Sequence, residues 1–400
     1  MAMKGDEQRR EGLIRTLSAA TFLIFFQAYM VAPLFPRLSH ELGASVQLIG
    51  MAVPAYMIPY GLSTLFFGLL ADRLGRRRIM FLSMTAFIVL TALTATATSA
   101  SQLIVWRLLT GLGASGVVPL ALALMADLFP YEQRGRPLGW LFGAMAGGMA
   151  FGSTVGVILA PFIGWRMLFV GVAAAAVVVF VRLLLYSEFL GLPPHAVSLT
   201  FATVVQVYRS LLADARGART YFYVFLNSLF HSGVYTWLGV YFVRRYHLGE
   251  VGIGLALLGY GVPGFILGPV IGRWADRWGR RWLIPVGLAI AALSAALLTA
   301  RIPVLVAGIA VTLLSLGYDM TQPLLAGIVT QLGGKRAGQA MGLNVFTLFL
   351  GFGLGSALFG AAVPLGFRVA LGLFASVQIL AALSALFLFR TETAQKRVTA

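Results

Sequence analysis

The chain has 400 residues, of which 59% are hydrophobic and 11% charged, with a formal net charge of +17 and no cysteine. A soluble globule carries about 25% charged residues, so this composition excludes one and points to the membrane. The missing cysteines exclude disulfides, thiolate catalysis and thiolate metal sites.

A helix needs about 20 apolar residues to cross the hydrocarbon layer. Such runs lie at about 13–36, 47–71, 79–99, 102–128, 137–161 and 166–187, then at about 220–243, 251–273, 282–300, 303–331, 337–363 and 367–390. The first run, Leu13 to Pro36, is longer than a signal-peptide core and lacks a small-residue cleavage site, so it reads as a retained helix. No alternating ten-residue segments suggest a barrel. The expectation is an all-α membrane protein with twelve transmembrane helices.

The large positive charge would suggest nucleic acid in a soluble protein, but its placement follows membrane topology. With a cytoplasmic amino terminus and alternating spans, 23 of the 30 Lys and Arg fall on inner faces and six on outer faces, leaving Arg107 within a span. Both termini are therefore expected in the cytoplasm, in the cell (inner) membrane, with no nucleic-acid partner.

The polar stretch 188–218 separates the halves. It holds Pro193-Pro194, then Phe201, Val204, Val205, Tyr208, Leu211 and Leu212 at helical spacing. It reads as a linker carrying a short interfacial helix, or as an irregular loop. The expected division is 1–187, an amino-terminal six-helix bundle; 188–218, the linker; and 219–400, a carboxy-terminal six-helix bundle.

The halves repeat. Gly68-Leu-Leu-Ala-Asp72-Arg73-Leu-Gly75-Arg76-Arg77-Arg78 recurs as Gly272-Arg-Trp-Ala-Asp276-Arg277-Trp-Gly279-Arg280-Arg281, displaced by 204 residues. Pro119 and Pro323 share that offset, and Gly164-Trp165-Arg166 matches Gly366-Phe367-Arg368. Two like bundles inserted in one orientation are expected to pack about a pseudo-twofold along the membrane normal. Glycine stripes at 148, 152 and 156, at 264, 268 and 272, and at 351 and 355 let backbones approach closely, either in static packing or, the preferred reading, as faces that slide or rock where the second span meets the eleventh and the fifth the eighth between halves.

Asp72 and Asp276, each ending a span, can face helix amino termini of the opposite half, where free N–H groups and the dipole favour an anion. A solvated basic loop would explain the arginines but neither the glycines nor the acids. Among thirteen acidic residues, Asp319 alone falls well inside a span. A carboxylate there costs at least ~2.5–3.5 kcal/mol, so it must face a cavity, be paired or be protonated. It is the leading proton-coupling candidate, against a structural paired acid. Arg107, in the span that corresponds by the repeat to that of Asp319, can line the opposite wall of one cavity and pair with it, or serve as a structural hydrogen-bonding hub. His231 is the second coupling candidate, since an ordinary imidazole titrates near neutral pH.

These residues resemble the major facilitator superfamily, specifically its twelve-helix drug and proton antiporter branch. Gly68 to Met80 fits the family signature at each constrained position, whereas the second copy has Trp274 where the first has Leu70. A fourth-helix signature is matched by Leu103, Arg107, Gly111, Gly113 and Ala114, with Thr110 in place of a usual glutamine. The stretch from Ala126 to Pro130 and on to Arg134-Gly135 also looks like the family's junction between fourth and fifth helices. The fifth-helix signature of the antiporter branch departs, with Gly152-Ser153 instead of Gly-Pro.

The resemblance implies that Gly68, Asp72, Arg73, Gly75, Arg76, Arg77, Asp127, Asp276, Gly279 and Arg280 form a conformational gate. It implies a substrate cavity lined by the first, fourth, seventh and tenth helices, hence by Gln27, Arg107, Asn227, His231, Asp319 and Gln322, and a role for Arg107 in substrate or proton handling. A lone intramembrane amide or histidine more often joins helices than binds a ligand.

No phosphate loop, metal-ligand cluster or catalytic constellation is present in the sequence. The expected function is a proton-coupled exporter of amphipathic organic compounds or drugs, a monomer in the bilayer that is not an enzyme, needs no cofactor and draws on the proton gradient. The alternatives are a proton-coupled uptake symporter for a small organic solute or anion and, from another class, a non-transporting membrane sensor or scaffold.

Overall fold

Hydrocarbon offers backbone amides no partner, so a spanning segment must satisfy them internally, as a helix does. The computed structural model describes residues 2–129, 135–191 and 201–393, and these contain helices, turns and loops without a strand. The chain divides into two compact units, Met1–Gln206 and Val207–Ala400.

In the first unit, α1 (Ala2–Tyr29) runs into a short 3-10 turn, Ala32–Leu34, and α2 (Phe35–Glu41). Then come α3 (Val46–Gly50) with α4 (Pro54–Leu74), α5 (Arg76–Thr94), α6 (Ala100–Ala114) with α7 (Val117–Leu128), α8 (Gly135–Ile163), α9 (Trp165–Leu184) and α10 (Ser187–Leu190). The fourth span breaks between α6 and α7 because Pro119 cannot donate to the carbonyl of Ser115.

In the second unit, α11 (Phe201–Ala213) precedes α12 (Ala215–Thr236) with α13 (Leu238–Tyr246), α14 (Glu250–Ala256) with α15 (Val262–Trp278), α16 (Arg280–Leu297), α17 (Val304–Gly333), α18 (Ala337–Ala362) and α19 (Phe367–Leu388). The boundary between units falls inside α11, whose Val207 and Leu211 pack with Tyr221, Val329, Ala340 and Leu343. That part of its apolar face is spent on protein rather than on lipid.

Ten helical stretches among the described residues are long and apolar enough to cross a membrane. The seventh and eighth expected spans are absent from that number. The eighth is interrupted by the turn at 257–261, and polar residues such as Arg216, Arg219, Asn227 and His231 dilute the seventh. With each broken pair taken as one segment, each unit has six.

The hinges explain their glycines. Gly75 alone joins α4 to α5 at φ 91°, and Gly279 alone joins α15 to α16 at φ 76°. A side chain is strained at such angles. The equivalent pair Gly164 and Gly366 opens α9 and α19 in the same way.

The glycine stripes correct an expectation. Gly148 and Gly152 of α8 lie against the backbone of Phe22 and Phe26 in α1, and Gly351 and Gly355 of α18 against Phe225 and Leu229 in α12. Both stripes therefore pack within their own unit, drawing first to fifth span and seventh to eleventh together, and these contacts do not themselves provide a sliding surface between halves. A Cβ on Gly152 would come within 2.8 Å of the Phe26 Cα. Gly152→Val is expected to cost about 1–3 kcal/mol as an overpacking lesion. Thermal unfolding in detergent checks this against Gly171→Val, whose added Cβ meets nothing within 4 Å.

Candidate functional site

Arg107, on α6, is fully buried. Its Nε donates to the Ala52 carbonyl at 3.1 Å, Nη1 to the Gln27 carbonyl and Oε1 at 3.2 and 2.9 Å, and Nη2 to the Ala28 carbonyl at 2.9 Å. The guanidinium also lies 4.3 Å from the Tyr56 ring centroid. These acceptors stand where helices stop: Gln27 and Ala28 end α1 just before Pro33, and Ala52 precedes Pro54. The last carbonyls of a helix lack intrahelical donors and attract a cation. Arg107 thus caps two helix breaks, and Gln27 is spent on holding it.

Asp319 lies near the middle of α17, half-buried, and faces the break in the eighth span. Its Oδ2 accepts from Ser315 Oγ at 3.1 Å, and Ser315 Oγ accepts from the Gly261 N–H at 2.9 Å. Gly264 also gives its N–H to the carboxyl. Gly264 is the third residue of α15, so this N–H has no carbonyl four residues back within the helix. A Cβ at Gly264 would sit 2.6 Å from the carboxyl carbon, so glycine permits the approach. No cation lies within ion-pair distance of Asp319 among the described residues. Pro323 cannot donate to the Asp319 carbonyl, which loosens the helix locally.

The same break carries Tyr260, whose hydroxyl is 2.6 Å from His231 Nε2. His231 is buried and stacks on Tyr318 at 3.8 Å between centroids, while Tyr235 stacks on Tyr260 at 3.7 Å. The turn at 257–261 therefore touches both coupling candidates: through Tyr260 it holds His231, and through Gly261 it holds Ser315 and Asp319. Asn227 belongs to a different cluster. Its Nδ2 donates to Thr321 Oγ1 at 2.7 Å and, at 3.4 Å, to Gln322 Oε1, and its Oδ1 accepts from Gln378 Nε2 at 3.1 Å. This amide network ties α12, α17 and α19 together.

Of the gate residues, Arg76 pairs with Asp127, joining α5 to α7. Arg73 and Arg77 are exposed, and Arg280 opens α16 with its N–H on the Glu392 carbonyl at 2.8 Å. Of Gly68, Asp72 and Asp276 only the helical backbone is described.

Several residues escaped the sequence reading. Ser315 stands one turn before Asp319 and was legible as a hydrogen-bonding neighbour; Tyr260 and Gln378 were not, and Gly264 reads in sequence as part of a packing stripe rather than as a neighbour of Asp319. Glu392 reads as part of a polar tail, yet it is buried, with its carboxylate on Arg216 Nε and Nη2, both at 2.7 Å, and on Arg219 Nη2 at 2.6 Å. Glu41 likewise gathers Arg37, Trp165 and Arg166.

Residues 17–266 and 220–400 match the family model of the Major Facilitator Superfamily. The chain belongs to this superfamily of membrane transporters. Among relatives in Bacillus subtilis (strain 168), the uncharacterized MFS-type transporter YwfA is 25% identical over 94% of this chain and 92% of its own. Multidrug resistance protein 3 is 28% identical over 54% of this chain and 42% of its own length. MdtP, a multidrug transporter protein, is 28% identical over 55% and 41%. The match thus spans less than half the length of these last two. Among solved structures, the human organic anion transporter MFSD10 (TETRAN) superposes with a TM-score of 0.71 at 16% identity, covering 94% of this chain and 99% of that one. A D-xylose-proton symporter gives 0.74 at 16% identity over 94% and 96%. These two likenesses establish the fold alone.

Two outcomes follow from the superfamily member's geometry. Arg107→Lys is expected to lower the melting temperature, because one ammonium cannot reach the carbonyls at three stations, and each acceptor left unsatisfied costs about 1–3 kcal/mol. A residue acting on substrate alone would leave the melting temperature unchanged. For Glu392, burial pushes the carboxyl up, but the hydrogen bonds and charges of Arg216 and Arg219 outweigh it and hold it below its ordinary 4.5. A lowered folded-state value means that the stabilisation is present above about pH 4.5 and fades as pH falls through that lowered value. Glu392→Gln should therefore destabilise the neutral-pH protein by on the order of 1 kcal/mol, since Arg216 is solvent-screened. Melting curves of the two proteins should converge in acid.

Proposed function

We propose that this chain is a proton-coupled exporter of amphipathic organic compounds, working by alternating access in the cell (inner) membrane with both termini cytoplasmic. The observation that carries the reading is Asp319: a half-buried carboxyl in the tenth span, held by a serine hydroxyl and a helix-start N–H, with no cation beside it among the described residues. Charge at that depth costs at least ~2.5–3.5 kcal/mol, and without a cation a proton is the remaining means of neutralising it. The names of the multidrug relatives support the substrate class.

In this reading a proton from the outer side neutralises Asp319, weakening its hold on the start of α15, and substrate arriving from the cytoplasm favours the proton's release inward. Each charge crossing 100 mV supplies about 2.3 kcal/mol, enough for more than tenfold accumulation. His231 is the second coupling group through Tyr260, and Arg107 holds the first and fourth spans in register. The two hinge motifs act as the gate. No cofactor takes part, because the proton gradient is the energy source.

A second reading, proton-coupled uptake of a small organic solute, is favoured by Gly152-Ser153, where the export signature has a proline. The test is reconstitution with a panel of organic cation and anion dyes. Export predicts dye accumulation in everted vesicles with an acid lumen, whereas uptake predicts accumulation in right-side-out vesicles with an acid exterior. Asp319→Asn is expected to reduce gradient-driven transport to the level of empty liposomes while sparing substrate exchange. Undiminished pH-dependent transport by that variant would refute the assignment.

A further inference from the structure

The two hinges share glycines, acids and arginines but differ at four positions, one of them Leu69 against Arg273. Where the first hinge has Leu70, Leu74 and Arg78, the second, 204 residues on, has Trp274, Trp278 and Trp282. Three of the chain's seven tryptophans thus occupy nine consecutive residues. Core packing does not explain them, since their exposures are 39%, 51% and 52%.

Trp274 and Trp278 are one turn apart on α15, with ring centroids 5.7 Å apart, and Trp282 follows on α16 just past Gly279. Two guanidiniums accompany the rings. Arg277 lies 5.9 Å from the Trp278 centroid and Arg281 4.9 Å from that of Trp282. Neither arginine has a carboxylate partner, and none of the three indole N–H groups has a protein acceptor, among the described residues.

This stretch joins the end of one spanning segment to the start of the next, so it lies at the boundary between hydrocarbon and water. Indoles prefer that depth, and arginine there attracts the phosphates of anionic lipids. Arginines alone would suit any anion. Exposed indoles beside them suit an anion attached to an acyl chain.

We propose that the second hinge binds the headgroup of an anionic phospholipid, with Arg277 and Arg281 on the phosphate and Trp274, Trp278 and Trp282 against the glycerol and upper acyl region. The first hinge, which has leucines and an arginine at the equivalent positions, lacks this site. The site would fasten one end of the second unit to the leaflet on the basic side of the membrane. It does not depend on the direction or substrate of transport.

The test uses the full chain in a neutral detergent, titrated separately with phosphatidylglycerol, phosphatidylcholine and inorganic phosphate. Lipid adducts are read by native mass spectrometry and melting temperature is read in parallel. Phosphatidylglycerol is expected to give retained adducts and a raised melting temperature at concentrations where the other two do neither. In W274L/W278L, which restores the residues of the first hinge, the preference for phosphatidylglycerol should disappear. In R277Q/R281Q the half-saturating lipid concentration should rise by about fivefold for each arginine removed.

Equal adducts in the wild type and both variants would overturn the proposal. So would protection by inorganic phosphate equal to that by the lipid, which would mark a site for a free anion. Should the tryptophan variant fail to elute as a single species, the arginine variant, altered only in the side chains on the phosphate, decides the matter.

Discussion

Inside hydrocarbon an unpaired backbone amide has no water to turn to, and the arrangement of this protein's polar side chains follows from that constraint. At the breaks between α1 and α2, α3 and α4, and α14 and α15, a polar residue from a neighbouring span arrives to satisfy exposed groups. Arg107 reaches carbonyls at the end of α1 and beside the start of α4. Asp319 and Ser315 take N–H groups at the start of α15. The signs are those the helix dipole dictates, with the cation at a carbonyl end and the anion at an N–H end.

The two caps differ in what they leave free. Arg107 makes four hydrogen bonds and is fully buried, so it behaves as a fixed strut. Asp319 is half-buried, and its partners among the described residues are a hydroxyl and one N–H. A cap that can be weakened by a single proton, placed on a break between two half-helices, is suited to a moving part. Because Tyr260 and Gly261 are adjacent, a shift of that turn would also disturb His231.

The internal repeat shows which features belong to the architecture and which to each half. Both units place a lone positive-φ glycine at the hinge and another at the opening of the last span, and both draw first and fifth equivalents together on glycine stripes. Asp319 has no acidic counterpart at residue 115, which is serine, and Arg107 has none at residue 311, which is valine. The buried charged caps are therefore specific to one half on a repeated frame, and so is the tryptophan-rich hinge.

Composition and run length were enough to establish a helical membrane protein, and the repeat offset was enough to establish two like halves, because hydrophobic length and backbone sterics act locally along the chain. Asp319 and Arg107 could be singled out for a similar reason, since a charge in an apolar run is costly whatever surrounds it. Only the tertiary structure decided what each charge does. Whether the arginine caps a broken helix, whether a serine and a glycine hold the acid, and whether Glu392 is a tail residue or a buried anchor all depend on contacts between residues up to 176 positions apart. The glycine stripes illustrate the same limit: their spacing revealed that a backbone comes close, but which backbone was settled by packing, and it proved to belong to the same unit.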